Sequence, residues 1–373
     1  METIKRTRCL LTETEDIEHL YTFKNFPIYM GCAENDDIGT DIFADAVWGI
    51  STSSGSVQLM ELIDPSVLYS QHHFSGTIGN IWKMHHKKFF DFINISKPTS
   101  VLEIGGASGQ LAKVALDNNP NLHWTIIEPS PQDPSDNTRL TRIQGFFETH
   151  QFTKKFDTVV HSHVFEHVYD PLSFLKNVAK LLYTGNSHYI ALPNMRYWLE
   201  HGYSSALTFE HTYYLDEQII EYLMSKAGFV LKDKIVEDHS MFFRYVKESD
   251  SKVTVPDMNF SYARNMFMNY VTGMEQDVAE IKEKVGNNKF YLFGAHIFSQ
   301  TLLNLGLDES QVLNILDNDS KKQEQRLYGT NLIVKSPQCL KDQINPVIIV
   351  RGASYTDEIK ESILQVNPTA IFY

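Results

Sequence analysis

Apolar residues recur along this chain with two periods, and their alternation predicts a mixed α/β protein. Short apolar runs at 100–104, 123–128, 156–161 and 188–192 suit buried strands. Between them, Gln110-Leu-Ala-Lys-Val-Ala-Leu116 and the stretch 171–183 place apolar residues every three or four positions, as amphipathic helices do. A further helix over 216–227 is stopped by Gly228. The apolar runs 229–234 and 241–246 then predict an antiparallel hairpin that closes the sheet. Met266, Tyr270, Met274, Val278, Ile281 and Val285 mark a long helix over about 260–285. A second strand-and-helix unit follows, with strands at 289–293, 312–316, 347–350 and 370–373 and helices at 298–305 and 356–364.

This pattern divides the chain into an N-terminal cap region (1–90), a central domain (91–250), a linker helix (251–287) and a smaller C-terminal Rossmann-like domain (288–373). The cap mixes short apolar runs with acidic loops such as Glu34-Asn-Asp-Asp37 and ends in a helical pattern over 81–93. A polar stretch with Pro256, at 248–257, reads as the interdomain linker.

The 373 residues exceed what one hydrophobic core usually serves, which agrees with that division. A formal net charge of −13 argues against nucleic acid as the main partner, because phosphate backbones are held by clustered Lys and Arg. No stretch reaches the roughly 18 apolar residues of a membrane span, and no apolar run follows Lys5, Arg6 and Arg8. A cytoplasmic protein of open oligomeric state is expected. Cys9, Cys32 and Cys339 are scattered without any C-x-x-C pair, so neither a disulfide framework nor a thiolate zinc site is expected.

The first strand of the central domain, Val101-Leu-Glu-Ile104, runs into Gly105-Gly-Ala-Ser-Gly109 and then into a helix, the opening of a nucleotide-binding βαβ unit. Against the dinucleotide fingerprint G-x-G-x-x-G the match is poor, since Gly105 is followed at the key positions by Ala107 and Gln110. As acidic-x-Gly-x-x-x-Gly, with Glu103, Gly105 and Gly109, it resembles motif I of class I S-adenosylmethionine (SAM) dependent methyltransferases. The next strand ends at Glu128, whose carboxylate can accept hydrogen bonds from both hydroxyls of a ribose. Together these two features point to a nucleoside ligand. Phe165-Glu-His-Val-Tyr-Asp-Pro171 is similar to the segment after the fourth strand in many such enzymes.

Three histidines, His161, His163 and His167, lie near the end of the third central strand, but strand residues alternate direction and no carboxylate repeats at ligand spacing, so no metal is expected. Glu166 and His167 are read as fixing their loop by hydrogen bonds. Aromatic and polar groups gather after the following strand, at Trp198, Tyr203 and Thr208-Phe-Glu-His-Thr-Tyr-Tyr214. His211, with Glu210 beside it, is the candidate general base; its competing role is to anchor the loop. Tyr213, Tyr214 and His163 are the next candidates.

Over most of its length the chain resembles the sugar C-methyltransferase family. The resemblance rests on the Glu-x-Gly-x-x-x-Gly turn, Glu210-His211, Ser240 with Arg244, Val57-Gln-Leu-Met-Glu61, Leu316-Asp-Asn-Asp-Ser-Lys-Lys322 and Asp357-Glu-Ile359. It implies a class I SAM methyltransferase Rossmann-like domain whose cofactor lies against Glu103, Gly105, Ala107, Gly109, Glu128, Phe146 and His163. It also implies catalysis by His211, Glu210 and Tyr213, and a small sugar-like acceptor, nucleotide-linked, enclosed by the C-terminal domain. The family's paired zinc-binding cysteines are reduced here to Cys9 and Cys32, and the first two polar residues of its catalytic loop are replaced by Thr208 and Phe209. Methylation at carbon, oxygen or nitrogen is therefore open. A nucleotide-sugar oxidoreductase using Gly294, or a non-catalytic SAM-binding scaffold, are the alternative readings.

Overall fold

The computed structural model describes residues 3–33, 37–69, 80–131, 137–248, 254–352 and 355–373. Its centre is a seven-stranded sheet in the order Phe229–Val236, Ser240–Lys247, Leu182–Pro193, Phe156–Ser162, Ser100–Ile104, His123–Glu128, Leu140–Gln144. Ser240–Lys247 runs antiparallel to both its neighbours, and the remaining strands are parallel to one another. Helices Asn80–Ile93 and Gln110–Asn118 bury Phe89, Phe92, Leu111 and Ala115 against Val101, Trp124 and Val160 on one face. Helices Pro171–Lys180 and Glu217–Lys226 bury Phe174, Val178, Ile220 and Leu223 with Leu102, Ile104 and Val159 on the other. Two covered faces explain why these strands read as continuous apolar runs.

From Ser100–Ile104 the chain steps outward to one edge and then returns to Phe156–Ser162 on the opposite side, so the strand order reverses between these two. Open α/β sheets bind ligands at the carboxyl ends of the strands flanking such a reversal.

Two sequence expectations change. The edge strand Leu140–Gln144 was not anticipated, because Thr141, Arg142 and Gln144 give it no apolar run. The helix expected over 171–183 ends at Lys180, and Leu182 already pairs with Phe156, which lengthens the next strand to Leu182–Pro193. Apolar residues continue across that boundary, so periodicity could not place it.

The N-terminal region is built on an antiparallel sheet of Ile17–Pro27, Phe43–Ser51 and Val57–Leu59. Trp48 from this sheet packs fully buried on Phe267 of the long helix Phe260–Val285. Of the acidic loop, residues 34–36 lie outside the described residues, and so do 249–253 of the expected linker. The C-terminal sheet is all parallel, in the order Val334–Lys335, Val312–Leu316, Phe290–Phe293, Val347–Val350, Ile371–Phe372. It is tied to the N-terminal region, since Arg326–Leu327 pairs with Cys32–Ala33 and buried Arg326 grips Asp41 at 2.6 and 2.8 Å. Among the described residues no helix is long and apolar enough to cross a membrane.

Candidate active site

The central sheet delivers two binding elements to its strand reversal. After Ser100–Ile104 the chain turns through Gly105 and Gly109, both left-handed at φ +71° and +82°. A Cβ on Gly105 would lie 2.5 Å from Val164 Cγ2 in the packed wall, and one on Gly109 would lie 2.5 Å from Arg142 Nη2 and displace that guanidinium, on a backbone whose left-handed φ already favours glycine at both positions. Glu128, ending the neighbouring strand, accepts hydrogen bonds from the Ala107 N–H (3.1 Å) and the Ser130 N–H (3.2 Å). The turn and the acidic residue thus form one cradle. Arg142, missed with its strand, braces the cradle by donating to Ser108 O at 3.0 Å and Ala107 O at 3.4 Å.

Glu103 lies beneath this turn, 3% exposed, and accepts a hydrogen bond from Trp124 Nε1 at 2.7 Å. Burial pushes its carboxyl from 4.5 up to about 7, against the opposing pull of the Trp124 bond and Arg142. The stability that protonated Glu103 contributes is fully present below pH 4.5, where folded and unfolded chains both carry the proton. Between 4.5 and 7 the unfolded chain alone has lost it, so stability falls as pH rises, by about 3 kcal/mol in all. A Glu103→Gln variant removes this component, so its urea midpoint relative to wild type should improve from pH 4.5 to pH 8. A constant difference between the two proteins would contradict the buried neutral acid.

Of the two phenylalanines after the edge strand, Phe146 is 38% exposed and free to meet a ligand, whereas Phe147 is buried on Phe174. His163 follows strand Phe156–Ser162 in the left-handed region (φ +53°), and its Nε2 meets Ser240 Oγ at 3.2 Å. Trp82 and His85 pack around its ring. His161, by contrast, is fully buried beside His188 and Phe174.

The 3₁₀ turn Phe165–His167 meets the segment 208–214. The Thr212 N–H donates to Glu166 O, and His167 Nδ1 bonds Glu210 O at 3.0 Å. Thr208 Oγ1 accepts from the Glu210 and His211 N–H groups at 3.2 Å each, while Phe209 packs on Phe26. His211 is 7% exposed, with Nδ1 on Ala206 O at 3.1 Å, and burial lowers its pKa to about 4. The N-terminal sheet holds this segment: Leu59 N–H donates to Thr212 O, Tyr214 N–H to Val57 O, and Arg6 Nη1 to Thr212 O at 2.6 Å. The Tyr213 hydroxyl is committed to Phe165 O at 2.8 Å.

Glu166 departs from its expected role. Its peptide carbonyl fixes the loop, but its carboxylate is 0% exposed and neither oxygen has a hydrogen-bond donor. His163 Nδ1 stands 3.5 Å and His167 Nε2 3.8 Å from Oε1. Burial, reinforced by Glu210, pushes this carboxyl up to about 8. Tyr69 was not singled out from sequence; burial and the charges of Glu210, Glu166 and Glu128 raise its hydroxyl well above the usual range, which places it among these groups. Nothing local in the sequence marks it. The cysteines take no part: Cys9 Sγ lies on the Ser54 and Ser56 hydroxyls, and Cys32 Sγ on Ala295 O.

Residues 82–233, which hold the cradle and the Glu166–His211 group, match the family described as "Methyltransferase domain". The central unit is a methyltransferase domain. Among solved structures, the chain is similar to human N-acetylserotonin methyltransferase in complex with SAM, at 16% identity and TM-score 0.39, over 45% of this chain and 53% of that one. The N-methyltransferase NodS from Bradyrhizobium japonicum WM9, in complex with S-adenosylhomocysteine, is similar at 15% identity and TM-score 0.38, over 47% and 91%. The mitomycin 7-O-methyltransferase MmcR gives 14% identity and TM-score 0.37, over 45% and 55%. The chain thus spans little more than half of the first and third of these proteins. A comparison with curated protein sequences gave no match.

In the methyltransferase domain the cradle occupies the strand reversal and the Glu166–His211 group stands at the next strand end. The C-terminal unit differs. Gly294 (φ +104°) is followed by Ala295, whose N–H bonds Asp317 Oδ2 at 2.9 Å, but Lys322 Nζ lies 3.4 Å from the same oxygen and engages the acid that would hold a ribose.

Proposed function

We propose that the protein transfers a methyl group from S-adenosylmethionine to a small sugar-like acceptor, nucleotide-linked, at carbon, oxygen or nitrogen. The observation that carries this reading is the cradle in which Glu128 and the Gly105–Gly109 turn are joined through the Ala107 N–H. S-adenosylmethionine is the cofactor: Glu128 holds the ribose hydroxyls, the turn runs beneath the methionine moiety, and Phe146 flanks the adenine. The sulfonium already activates the methyl group, so the protein has to align donor and acceptor and take up a proton. His211 takes it at Nε2, since Nδ1 is committed to Ala206 O. Glu210 lies beside it, and Tyr213 positions the segment through Phe165 O. The acceptor rests among Trp198, Tyr203 and Trp82, under the C-terminal domain.

Calorimetry with S-adenosylmethionine tests the donor site. Glu128→Ala removes a charged acceptor and should weaken binding by about 1.5–3 kcal/mol. Isotopically labelled donor, offered with a panel of nucleotide sugars, tests the acceptor. Absence of heat with the wild-type chain would overturn the donor assignment, and labelled donor with no transfer to any sugar nucleotide would overturn the acceptor class.

A further inference from the structure

We propose that His161 and His188 form an acid-sensitive latch beneath the acceptor site: in acid both rings take up protons, the layer packed on them opens, and the segments carrying Glu166 and His211 lose their seat. The two histidines lie on neighbouring strands of the central sheet. His188 pairs in register with Val159, two residues from His161, so both rings face the helix layer that buries Val159. The ring centroids are 5.0 Å apart, and both residues are 0% exposed. No described protein atom hydrogen-bonds any of their four ring nitrogens.

Position links the pair to the site. His161 packs on Phe165, at 6.0 Å between centroids, and on Phe174 of the helix Pro171–Lys180, at 5.5 Å. His188 packs at 5.2 Å on Phe229, which opens the strand after the helix Glu217–Lys226. Phe165 begins the turn that carries Glu166 and His167, and its carbonyl holds the Tyr213 hydroxyl at 2.8 Å. The same two helices start soon after the site's two segments, at Pro171 behind the turn and at Glu217 behind 208–214. Opening of this layer therefore reaches both segments, while the donor cradle stands on Ser100–Ile104 and His123–Glu128, toward the other edge of the sheet.

An imidazolium at either position would meet no counter-charge. On the surrounding strands and helices Asp157 is bonded to Thr99, Lys180 to Asn177, and Lys247 to the Ala179 and Leu182 carbonyls. Glu217 is paired with Lys234, Asp233 with Arg244 and Lys232 with Glu248. Asp170 and Asp216 cap the two helices, and Lys176, Glu221 and Lys226 are exposed. Glu103 is bonded to Trp124 on the opposite face, and Glu166 faces His163 and His167. Tyr245, beside His188 in register, makes no hydrogen bond to it. Burial alone lowers His161 from 6.5 to about 3, and burial with the charge of His161 lowers His188 well below 6.5. The neutral pair therefore stabilises the closed layer fully above pH 6.5. That stability is lost as pH falls from 6.5 toward about 3, because the opened chain takes up two protons that the closed one excludes.

Hydrogen exchange of the full-length chain tests the latch, read by mass spectrometry from about pH 7.5 to about pH 4.5 against an unfolded reference. Over that interval a ring that titrates near 6.5 once exposed raises the opening constant about 100-fold, so the two together cost the stretches 165–180 and 208–226 about 10⁴-fold in protection. His161→Phe/His188→Phe keeps ring packing without titration and should remove that factor. His161→Leu/His188→Leu is the second variant should the phenylalanines overfill the space, and wild-type protection at pH 7.5 certifies whichever variant is used. An equal acid loss of protection in wild type and variant overturns the latch. So does a loss that extends equally to 101–128, which is unfolding of the whole domain. The consequence for catalysis rests on the methyltransferase reading. A wild-type chain that opens in acid as described but gives no heat with S-adenosylmethionine at pH 7.5 leaves the latch standing and overturns that reading.

Discussion

Replacing His211 with glutamine is expected to lower turnover about 10²- to 10⁴-fold, the range that a positioned proton acceptor contributes, with donor affinity nearly unchanged. The ring is buried between His167 and Trp198, and its Nδ1 hydrogen is spent on Ala206 O. Low polarity around it holds the pKa to about 4, so the ring is neutral at pH 7 and Nε2 is free to accept. Glutamine retains an N–H for Ala206 O and cannot take a proton, which separates chemistry from loop anchoring. Single-turnover rates with saturating donor are the measurement. A rate within a few-fold of wild type would leave His211 an anchor and move the proton to His163 or Tyr214, since the Tyr213 hydroxyl is held by Phe165 O.

The cofactor half of this site was legible in the sequence because it is local. Strand, glycine turn and helix are consecutive, and Glu128 ends the very next strand, so spacing alone brings them together. Arg142 was not legible, because a half-exposed edge strand with Thr141 and Gln144 leaves no apolar signature, and its contact with Ser108 O exists only once the sheet forms. The acceptor half depends on tertiary pairing. His211 could be named for its chemistry, but its partners Glu166 and His167 reach it through the Thr212 N–H on Glu166 O and the docking of 208–214 on Val57–Leu59. The stretch Val57-Gln-Leu-Met-Glu61 carries a resemblance without a role; in the structure its strand Val57–Leu59 holds the segment 208–214.

The sequence reads the N-terminal region as a cap on the central domain; its second attachment, the Arg326–Asp41 ion pair with the strand pairing of Arg326–Leu327 on Cys32–Ala33, joins residues far apart in the chain and leaves no local signal. Replacing Arg326 with alanine is expected to destabilise the protein by about 3–5 kcal/mol, the cost of stranding a buried partner. The Arg326 and Asp41 side chains are 2% and 1% exposed, and the pair is bidentate. In the variant Asp41 keeps the Gly329 N–H at 2.7 Å, a single donor for a carboxylate shut off from water. Thr330 O also loses the Arg326 donor it had at 2.9 Å. Removing both charges tells stranding from simple loss of attraction. If the penalty comes from the stranded carboxylate, Arg326→Met combined with Asp41→Leu should recover most of the stability in urea unfolding, since apolar side chains fill the space without needing partners. A double variant as unstable as Arg326→Ala would mean instead that the ion pair's geometry holds Arg326–Leu327 against Cys32–Ala33, and that the two regions come apart without it.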